Sequence, residues 1–324
     1  GQRLRFASSL PALLAGGGVD TSLDAVALHH HFTLHTVVPA PRTVLKGVRK
    51  MLPASTLRFD PDGAVTEQVY WTLDATRPER PWSEAEWLDA TRKQLEQSVK
   101  RRLLAADVPV GVLLSGGLDS SLLVGLLADQ VPDLRTFSIG FEDLGAGAEK
   151  ADEFEFSDLV AAHFKTRHHK YSIPNTEVMA RLPEAVEQMT EPMVSHDVIA
   201  FYLLGERVSK DVKVVMSGQG ADEVFGGYFW YPRMGEASGT PLERFSQNYF
   251  DRDHSEYQQM ITPDFQVGDV TSELIAAALS QPQADEFLDQ VWRLDATTLI
   301  VDDPVKRVDK MPMAWGLEVR TPFL

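Results

Sequence analysis

The sequence has 324 residues, of which 44% are hydrophobic and 24% charged, a composition typical of a globular protein with room for two domains. Its formal net charge of −16 disfavours nucleic acid or an anionic membrane as the main partner, because phosphate groups would be repelled over most of the surface. The sequence contains no cysteine, which excludes disulfides, thiolate zinc sites and a cysteine nucleophile among these residues.

Membrane and targeting segments are also missing from the pattern. No apolar run approaches the roughly 18 residues that a membrane-spanning helix needs. No secretory signal opens the sequence. A cytoplasmic protein without membrane contact is therefore expected.

The first 76 residues predict a hairpin-rich piece. Apolar alternation near Thr56 to Phe59, a Pro61-Asp62-Gly63 turn and a returning segment over Glu67 to Trp71 are typical of two antiparallel strands. This pattern indicates an antiparallel, β-rich region at the start of the chain.

Four histidines lie close together in this region, at positions 29, 30, 31 and 35. His31 and His35 would share one face of a helix, as metal ligands can. Only Asp24 lies nearby in the sequence to complete a ligand set. The sequence therefore favours packing at the surface or between domains over a metal site.

A linker and a long helix follow. Residues 74–82 contain proline and arginine and break the pattern, so the linker is placed there. Ser83 and Glu86 form a capping-box pattern that predicts the start of a helix. One apolar face continues to Ala106 through Leu88, Leu95, Val99 and Leu103.

Residues 108–129 predict a strand, an anion-binding turn and a helix. Val110 to Leu114 form a short apolar run, Ser115-Gly116-Gly117 permits a tight turn, and leucines at helical spacing follow Asp119. The N-terminal end of a helix favours phosphate. A carboxylate in such a turn repels phosphate unless a divalent cation lies between them, which indicates Mg²⁺ at Asp119. The alternative is that Asp119 only caps the helix and the glycines only make the turn.

Strands and helices then alternate. The pattern predicts strands over Leu134 to Phe141 and His168 to Ile173, a flexible loop over residues 142–150 and a helix over residues 152–165. His168 and His169 are interpreted as strand residues at the core edge. This spacing predicts an α/β fold with a doubly wound parallel sheet.

Another apolar strand is predicted to begin near Asp211. Like the strand at Val110 to Leu114, it leads into glycines and acids, here at Ser217 to Tyr228. A dinucleotide fingerprint is excluded, because Glu223 stands at the position of the third glycine. Open α/β sheets bind ligands at the carboxyl ends of their strands, so Asp222 is expected to face the same metal as Asp119. The alternative is that both acids are turn and cap residues. Residues 236–300 predict only helices with polar linkers.

Several segments together resemble one family. Ser115 to Ser121 resembles the pyrophosphate-binding loop of the ATP pyrophosphatase superfamily. Residues 217–228 resemble the Ser-Gly-Glu-Gly-x-Asp-Glu signature of asparagine synthetases, and residues 311–324 resemble their next signature. Residues 5–14 and 38–53 look like the last third of the glutaminase domain of the glutamine-dependent members. The resemblance implies the tail of an antiparallel β-rich glutaminase domain over residues 1–76 and an ATP-binding synthetase domain over residues 77–324.

The resemblance implies an ATP-dependent amide-forming ligase that uses ATP and Mg²⁺. Its partners would be a small-molecule carboxylate acceptor and ammonia or glutamine; a homodimer is left open. The site residues that it implies fall into four groups: Leu114, Ile139, Ser217 and Gly218 at the adenosine; Ser115, Gly116, Gly117, Ser120 and Ser121 at the phosphates; Asp119 and Asp222 at magnesium; and Gln219, Lys310 and Arg320 as catalytic residues.

The sequence departs from the family pattern at Gln219, where asparagine synthetases usually have glutamate. An amide can neither take a proton nor offset an ammonium charge. The segments around Gln219 and Glu191 resemble the branch that amidates N-acetylglutaminylglutamine, a blocked dipeptide. Asparagine synthetase, a β-lactam synthetase and a catalytically inactive nucleotide-binding module remain alternatives.

The two ends of the chain form a second departure. The family's glutaminase cysteine is expected before Gly1, and its downstream catalytic lysine after Leu324. Truncation at both ends is therefore expected.

Overall fold

The computed structural model describes residues 4–142 and 154–324. The strands are β1 Ser55–Phe59, β2 Val65–Val69, β3 Val110–Leu113, β4 Arg135–Phe141, β5 Arg167–Ile173, β6 Val214–Met216 and β7 Glu318–Arg320. The helices are α1 Leu10–Ala15, α2 Ala25–Thr33, α3 Glu84–Leu104, α4 Leu118–Ala128, α5 Phe154–Phe164, α6 Asn175–Gln188, α7 Asp197–Val208, α8 Ala221–Phe225, α9 Trp230–Glu236, α10 Pro241–Tyr249, α11 His254–Met260, α12 Val270–Leu279, α13 Phe287–Leu294, α14 Ile300–Asp302 and α15 Val305–Met313. Short 3₁₀ and π turns lie at Pro263–Phe265 and Asp295–Leu299.

The chain forms two compact units. The first comprises residues 1–79, 190–194 and 222–303, and the second comprises residues 80–189, 195–221 and 304–324. The division between 79 and 80 falls inside the predicted linker. Residues 222–303 pack within the first unit, so the units do not follow a single boundary in the sequence.

The second unit contains a five-stranded sheet in the order β5-β4-β3-β6-β7. All four pairings are parallel. Parallel strands need crossover connections, and here helices supply them. The strand order reverses at β3, because the chain adds β4 and β5 on one side and β6 and β7 on the other. Ligands bind at such a switch point in open α/β sheets.

Helices cover both faces of this sheet, as the doubly wound prediction requires. Val112 and Met216 point into one core together with the apolar residues of α4. Leu113 and Val215 point into the other core, against α7. The side chains alternate because successive strand residues face opposite sides. The predicted α/β class and parallel sheet are confirmed.

The first unit combines one hairpin with many helices. β1 and β2 pair antiparallel with Ser55 opposite Val69, and residues 60–64 close the turn. This small antiparallel sheet confirms the predicted hairpin. A separate core of this unit is formed by buried residues from α9, α10, α12 and α13. The helical prediction for residues 236–300 is also confirmed.

Helix α3 begins where its capping box predicts. The Ser83 hydroxyl accepts from the Glu86 N–H, and the Glu86 carboxylate accepts from the Ser83 N–H. Val99 is fully buried, whereas Leu88 is 63% exposed. The predicted apolar face is therefore wrong at Leu88, because the first turns of α3 lie outside the core that Val99 enters.

Two remaining sequence predictions concern a loop and membrane segments. Residues 143–150 of the predicted loop lie outside the described residues. Within the described ranges, none of the helices has both the length and the apolar character needed to cross a bilayer.

Candidate functional site: a glycine-rich loop at the switch point of the sheet

The loop after β3 is fixed by hydrogen bonds to its neighbours. The Leu114 N–H donates to the Phe137 carbonyl at 2.8 Å, and the Ser138 hydroxyl donates to the Leu114 carbonyl. The Ser115 hydroxyl accepts from the Gly117 N–H at 3.2 Å and lies 3.1 Å from the Ser120 hydroxyl. Hydrogen bonds within the loop and to β4 thus define its shape.

Gly116 is the position in this loop that requires glycine. Its φ is +96°, a backbone conformation that residues with a Cβ rarely adopt. A Cβ built there would lie 2.6 Å from both the Phe156 Cβ and the Ser157 backbone nitrogen. The loop can therefore approach α5 closely only because Gly116 has no side chain.

Helix α4 presents its N-terminal end to the loop. Its N-cap residue is Gly117, which makes no side-chain capping hydrogen bond. The Ser120 and Ser121 hydroxyls donate back to the Gly117 carbonyl at 3.2 and 2.7 Å. The positive end of the helix dipole and the backbone N–H groups of its first turn suit a phosphate group. Asp119 lies in that turn.

The loop after β6 meets this turn directly. The Ser217 N–H donates to the Arg320 carbonyl at 2.9 Å, which ties the loop to β7. A Cβ built at Gly218 would lie 3.0 Å from the Asp119 Cβ and 3.0 Å from the Ser120 nitrogen. The structure therefore brings together the two loops that the sequence placed at one sheet edge.

The predicted adenosine residues lie around this edge. Leu114 is buried, and Ile139 is a partly buried residue of β4 that packs at the other face of the sheet. The last β3–β4 pair joins Leu113 to Phe137, so Ile139 lies beyond the end of β3. Leu114 and Ile139 belong to the cores on opposite faces of the sheet, and their assignment to an adenosine site stays a prediction.

Asp222 and Glu223 belong to the short helix α8. The Asp222 carboxylate lies over the backbone of Gly227, where a Cβ would come within 2.0 Å of its Oδ1. Burial raises the pKa of the Asp222 carboxyl. Glu223 is more deeply buried, and burial raises its pKa too, although the Tyr228 hydroxyl donates to its Oε1 at 2.7 Å.

The three predicted catalytic residues have different surroundings. The Gln219 N–H donates to the Ser217 hydroxyl at 3.4 Å, and its side chain is partly exposed. Lys310 lies in the last turn of α15, with its Nζ 2.8 Å from an Asp309 carboxylate oxygen. Neither set of contacts tests a catalytic role, so both assignments stay predictions.

Arg320 makes contacts of another kind. Its guanidinium donates to the carbonyls of Arg102 and Ala105, at the carboxyl end of α3, and to the Glu318 carboxylate at 2.7 Å. These contacts cap a helix, because carbonyls in the last turn have no partner within the helix. Its assignment as a catalytic residue stays a prediction.

Sequence reasoning missed a buried group of acids and tyrosines in the first unit. The Tyr231 hydroxyl donates to the Asp295 carboxylate, and burial raises the pKa of Asp295 to about 7. Tyr228 stacks on Trp230 with ring centroids 4.1 Å apart. Tyr228 is the last residue of the predicted signature and Tyr231 follows it, but Asp295 lies 64 residues beyond Tyr231, and no local pattern connects the two.

The donor groups of the loop after β3 fit magnesium and ATP. The Asp119 carboxylate is a hard oxygen donor of the type that Mg²⁺ prefers. It lies in the first turn of a helix whose N-terminal end suits phosphate. The close approach of Gly218 leaves a backbone, rather than a side chain, beside that turn.

Comparison with known proteins identifies the family. The asparagine synthase family model matches residues 90–324, and the glutamine amidotransferase domain model matches residues 1–71. Asparagine synthetase [glutamine-hydrolyzing] 1 of Bacillus subtilis is 28% identical over 98% of this chain and 54% of its own length. A putative asparagine synthetase [glutamine-hydrolyzing] of Mycobacterium tuberculosis is 30% identical over 95% of this chain and 51% of its own length.

The chain spans about half the length of the curated relatives it matches. Among solved structures, the NH3-dependent NAD synthetase of Campylobacter jejuni aligns with 58% of this chain and 92% of its own, with a TM-score of 0.31 and 12% identity, a likeness too low to bear on function. The family-model match covers well over half of the chain, and on that match the chain belongs to the asparagine synthase family, with a glutamine amidotransferase domain match in its first 71 residues.

Proposed function

We propose that the protein is an ATP-dependent ligase that adenylates a substrate carboxylate and transfers ammonia to it, with glutamine as the ammonia source in the full-length protein. The observation that carries this proposal is the contact between the Gly218 loop and the first turn of α4 at Asp119 and Ser120. This contact lies at the switch point of a parallel sheet, where such sheets bind nucleotides.

The chemistry proceeds in two steps. A carboxylate oxygen of the acceptor attacks the α-phosphorus of ATP, the bond to the β-phosphate oxygen breaks, and pyrophosphate leaves. The ammonia lone pair then attacks the acyl carbon, AMP leaves, and the nitrogen loses a proton. Magnesium supplies positive charge for the phosphates when it is bound, with Asp119 and Asp222 as its proposed ligands.

The chain's own groups act by orientation. The first turn of α4 and the loop at Ser115–Gly117 hold the phosphates, and Leu114, Ile139, Ser217 and Gly218 hold the adenosine. Positioning and fixed charges of this kind supply much of the rate in phosphoryl-type chemistry. Gln219, Lys310 and Arg320 remain the proposed catalytic residues.

The first experiment identifies the bond that is broken. The full-length protein should convert ATP to AMP and pyrophosphate when an acceptor and ammonia are present, as followed by phosphorus NMR. Asp119→Asn should abolish acceptor-dependent ATP–pyrophosphate exchange, because the carboxylate charge is lost at the phosphates. Asp129→Asn, at the exposed opposite end of α4, serves as the matched control and should leave exchange unchanged.

Two results would overturn the proposal. The first is formation of ADP and phosphate. The second is an Asp119→Asn variant that keeps activity within about tenfold of the parent, a barrier change near 1.4 kcal/mol.

We further propose that the acceptor is a blocked dipeptide of the N-acetylglutaminylglutamine type rather than aspartate. Aspartate carries an α-ammonium that a glutamate could offset, whereas the blocked dipeptide has none, which suits the neutral Gln219. Gln219→Glu would place an unpaired carboxylate beside an uncharged group, at a cost of about 1–3 kcal/mol.

The names of the relatives favour aspartate as the competing acceptor. Competition between the two acceptors at equal concentration, with products identified by mass spectrometry, distinguishes them. We expect the parent protein to prefer the blocked dipeptide, and we expect Gln219→Glu to weaken that preference. Preference for aspartate, with a ratio that Gln219→Glu leaves unchanged, would assign the enzyme to asparagine synthesis.

A further inference from the structure

Three side chains from distant parts of the sequence meet within the first unit. His29 is fully buried on α2, and its Nε2 lies 2.9 Å from the Nδ1 of His254, the first residue of α11. Asp269, which precedes α12, has its Oδ1 3.9 Å from the same His29 nitrogen. The three ligand atoms all lie within 4.8 Å of one another.

These separations are close to those around a single zinc ion. With metal–ligand bonds of about 2.0–2.1 Å, tetrahedral geometry places neighbouring ligand atoms about 3.3 Å apart. The observed 2.9 and 3.9 Å lie on either side of that value. The separations of His29 Nε2 from His254 Nδ1 and from Asp269 Oδ1 therefore each differ from that value by about half an ångström.

A buried partner orients the His29 ring. Its Nδ1 lies 2.6 Å from the hydroxyl of Thr271, which is itself fully buried and also lies 2.9 Å from the His30 Nδ1. When His29 Nδ1–H donates to this hydroxyl, the lone pair of Nε2 points toward His254. Metal-binding histidines commonly donate their other N–H to such a partner, which fixes the tautomer and the ring.

Gln258 is the corresponding hydrogen-bond partner of the His254 ring. Its amide Nε2 lies 2.8 Å from the His254 Nε2, one turn along α11. A flip of the side chain exchanges the amide nitrogen and oxygen; in the flipped orientation the His254 Nε2–H donates to the Gln258 oxygen, and Nδ1 is free to bind a metal. Both histidines thus have an outer partner on the side away from the shared point.

We propose that His29 Nε2, His254 Nδ1 and the Asp269 carboxylate bind one Zn²⁺ ion, with water as a fourth ligand. Two imidazoles and a carboxylate suit zinc, whereas Mg²⁺ prefers an all-oxygen set. The ion would join α2 to α11 and α12. The site lies within the first unit, and it stands whether or not the proposed ligase activity is correct.

The ligands proposed to share a metal with His29 are distant from it in the sequence, so the local sequence could not predict this site. The sequence offered only Asp24 to complete a ligand set, and that carboxylate instead caps α2 and pairs with Arg42 at 2.6 Å. His254 and Asp269 lie 225 and 240 residues beyond His29. Burial of His29 and His30 also shows that a surface role is wrong for these two.

Zinc binding is tested on protein purified without a polyhistidine tag and stripped with a chelator. We expect one equivalent of Zn²⁺ with a dissociation constant below about 1 μM in competition with a chromophoric chelator. Cobalt should give the intense visible d–d bands of a four-coordinate site. The thermal midpoint should rise with free zinc, because zinc binds the folded chain more tightly than the unfolded chain.

Two variants remove ligands without opening the core. His254→Ala and Asp269→Asn should each weaken zinc binding at least about 100-fold. Asp269 caps α12 by accepting from the Ser272 N–H at 3.2 Å, and the asparagine keeps an oxygen for this bond. Gln258→Leu should weaken it about 10- to 100-fold, the range for outer partners of metal ligands. A circular dichroism spectrum confirms that each variant folds.

Two controls separate this site from others. His196→Ala removes an exposed histidine that pairs with Asp197 at 3.4 Å, and it should leave zinc affinity unchanged. Asp119→Asn should also leave it unchanged, since that residue is proposed to bind magnesium.

Zinc binding weaker than about 1 μM would overturn the proposal. So would binding that survives both His254→Ala and Asp269→Asn. Either result would show that His254 Nδ1–H simply donates to His29 in a hydrogen-bonded cluster.

Discussion

Gly116 and Gly63 share a left-handed backbone, with φ values of +96° and +91°, but their surroundings differ. A Cβ at Gly63 would meet nothing within 4 Å, whereas one at Gly116 would lie 2.6 Å from the Ser157 nitrogen. An alanine at Gly63 would therefore cause backbone strain alone, whereas an alanine at Gly116 would cause both backbone strain and a steric clash.

We expect Gly116→Ala to lower the free energy of unfolding by about 1–3 kcal/mol more than Gly63→Ala. Both alanines bear the cost of a positive φ, and only Gly116→Ala also forces α5 away from the loop. Urea denaturation of the two variants measures the difference. Equal midpoints would show that the loop and α5 separate without cost.

Asp295 is a buried carboxyl whose pKa is raised to about 7, mainly by burial. In the unfolded chain the same group has a pKa near 3.8. Between these values the folded state keeps a proton that the unfolded state has lost. Its contribution to stability is therefore present below about pH 4 and is lost as pH rises toward 7.

We expect Asp295→Asn to remove this loss. The free energy of unfolding of the variant, measured by urea denaturation from pH 4 to pH 8, should fall less steeply with pH than that of the parent. The difference between the two slopes should correspond to at most one bound proton. The comparison concerns the slope, because a buried amide also changes the absolute stability. Asp264→Asn, at an exposed position, is the control. Parallel curves for parent and Asp295→Asn would show that Asp295 ionises normally in the fold.

At the scale of elements, Arg320 connects β7 to the end of α3. Its guanidinium reaches two carbonyls of α3 and one carboxylate, contacts that a lysine cannot reproduce together. We expect Arg320→Lys to cost about 1–2 kcal/mol in the free energy of unfolding.

Arg135→Lys is the matched control, since Arg135 donates to a single carbonyl, that of Asp211 at 2.8 Å. It should cost no more than about 0.5 kcal/mol. An Arg320→Lys variant as stable as this control, but with reduced turnover, would instead support the predicted catalytic role of Arg320.

Local sequence patterns predicted some features of the helices and strands and not others. The strand at Val110–Leu113 and the start of α3 were predictable, because a short apolar run and a capping box act within a few residues. The exposure of Leu88 was not predictable, because it depends on where the core ends rather than on helical spacing. The loop at residues 115–117 was found because its glycines and the following helix are contiguous.

The whole molecule depends on contacts that no local pattern contains. Sequence reasoning divided the chain at residues 76 and 77, whereas residues 222–303 and the short segment 190–194 pack with residues 1–79. The zinc site proposed at His29, His254 and Asp269 and the buried acid at Asp295 were missed for the same reason. Their partners are distant in the sequence and come together only in the fold.

Lys50 shows how the first unit holds these segments together. Its Nζ lies 3.1 Å from a Glu191 oxygen and 2.7 Å from an Asp302 oxygen, and both carboxylates are buried. The other Glu191 oxygen accepts from the Val44 N–H, and Asp302 accepts from the Val38 N–H. One lysine thus offsets two buried negative charges from segments more than 100 residues apart in the sequence.

We expect Lys50→Met to lower the free energy of unfolding by about 3–5 kcal/mol, because removing the cation leaves buried carboxylates without that charge. Lys93→Met is the matched control: Lys93 pairs with Asp89 at 2.7 Å on the exposed face of α3, where loss of an ion pair costs no more than about 1 kcal/mol. Urea denaturation monitored by tryptophan fluorescence compares the two variants. The double change Lys50→Met with Glu191→Gln should recover part of the loss, since it removes one of the two buried negative charges. Equal costs for Lys50→Met and Lys93→Met, or no recovery in the double variant, would show that the first unit does not depend on this ion pair.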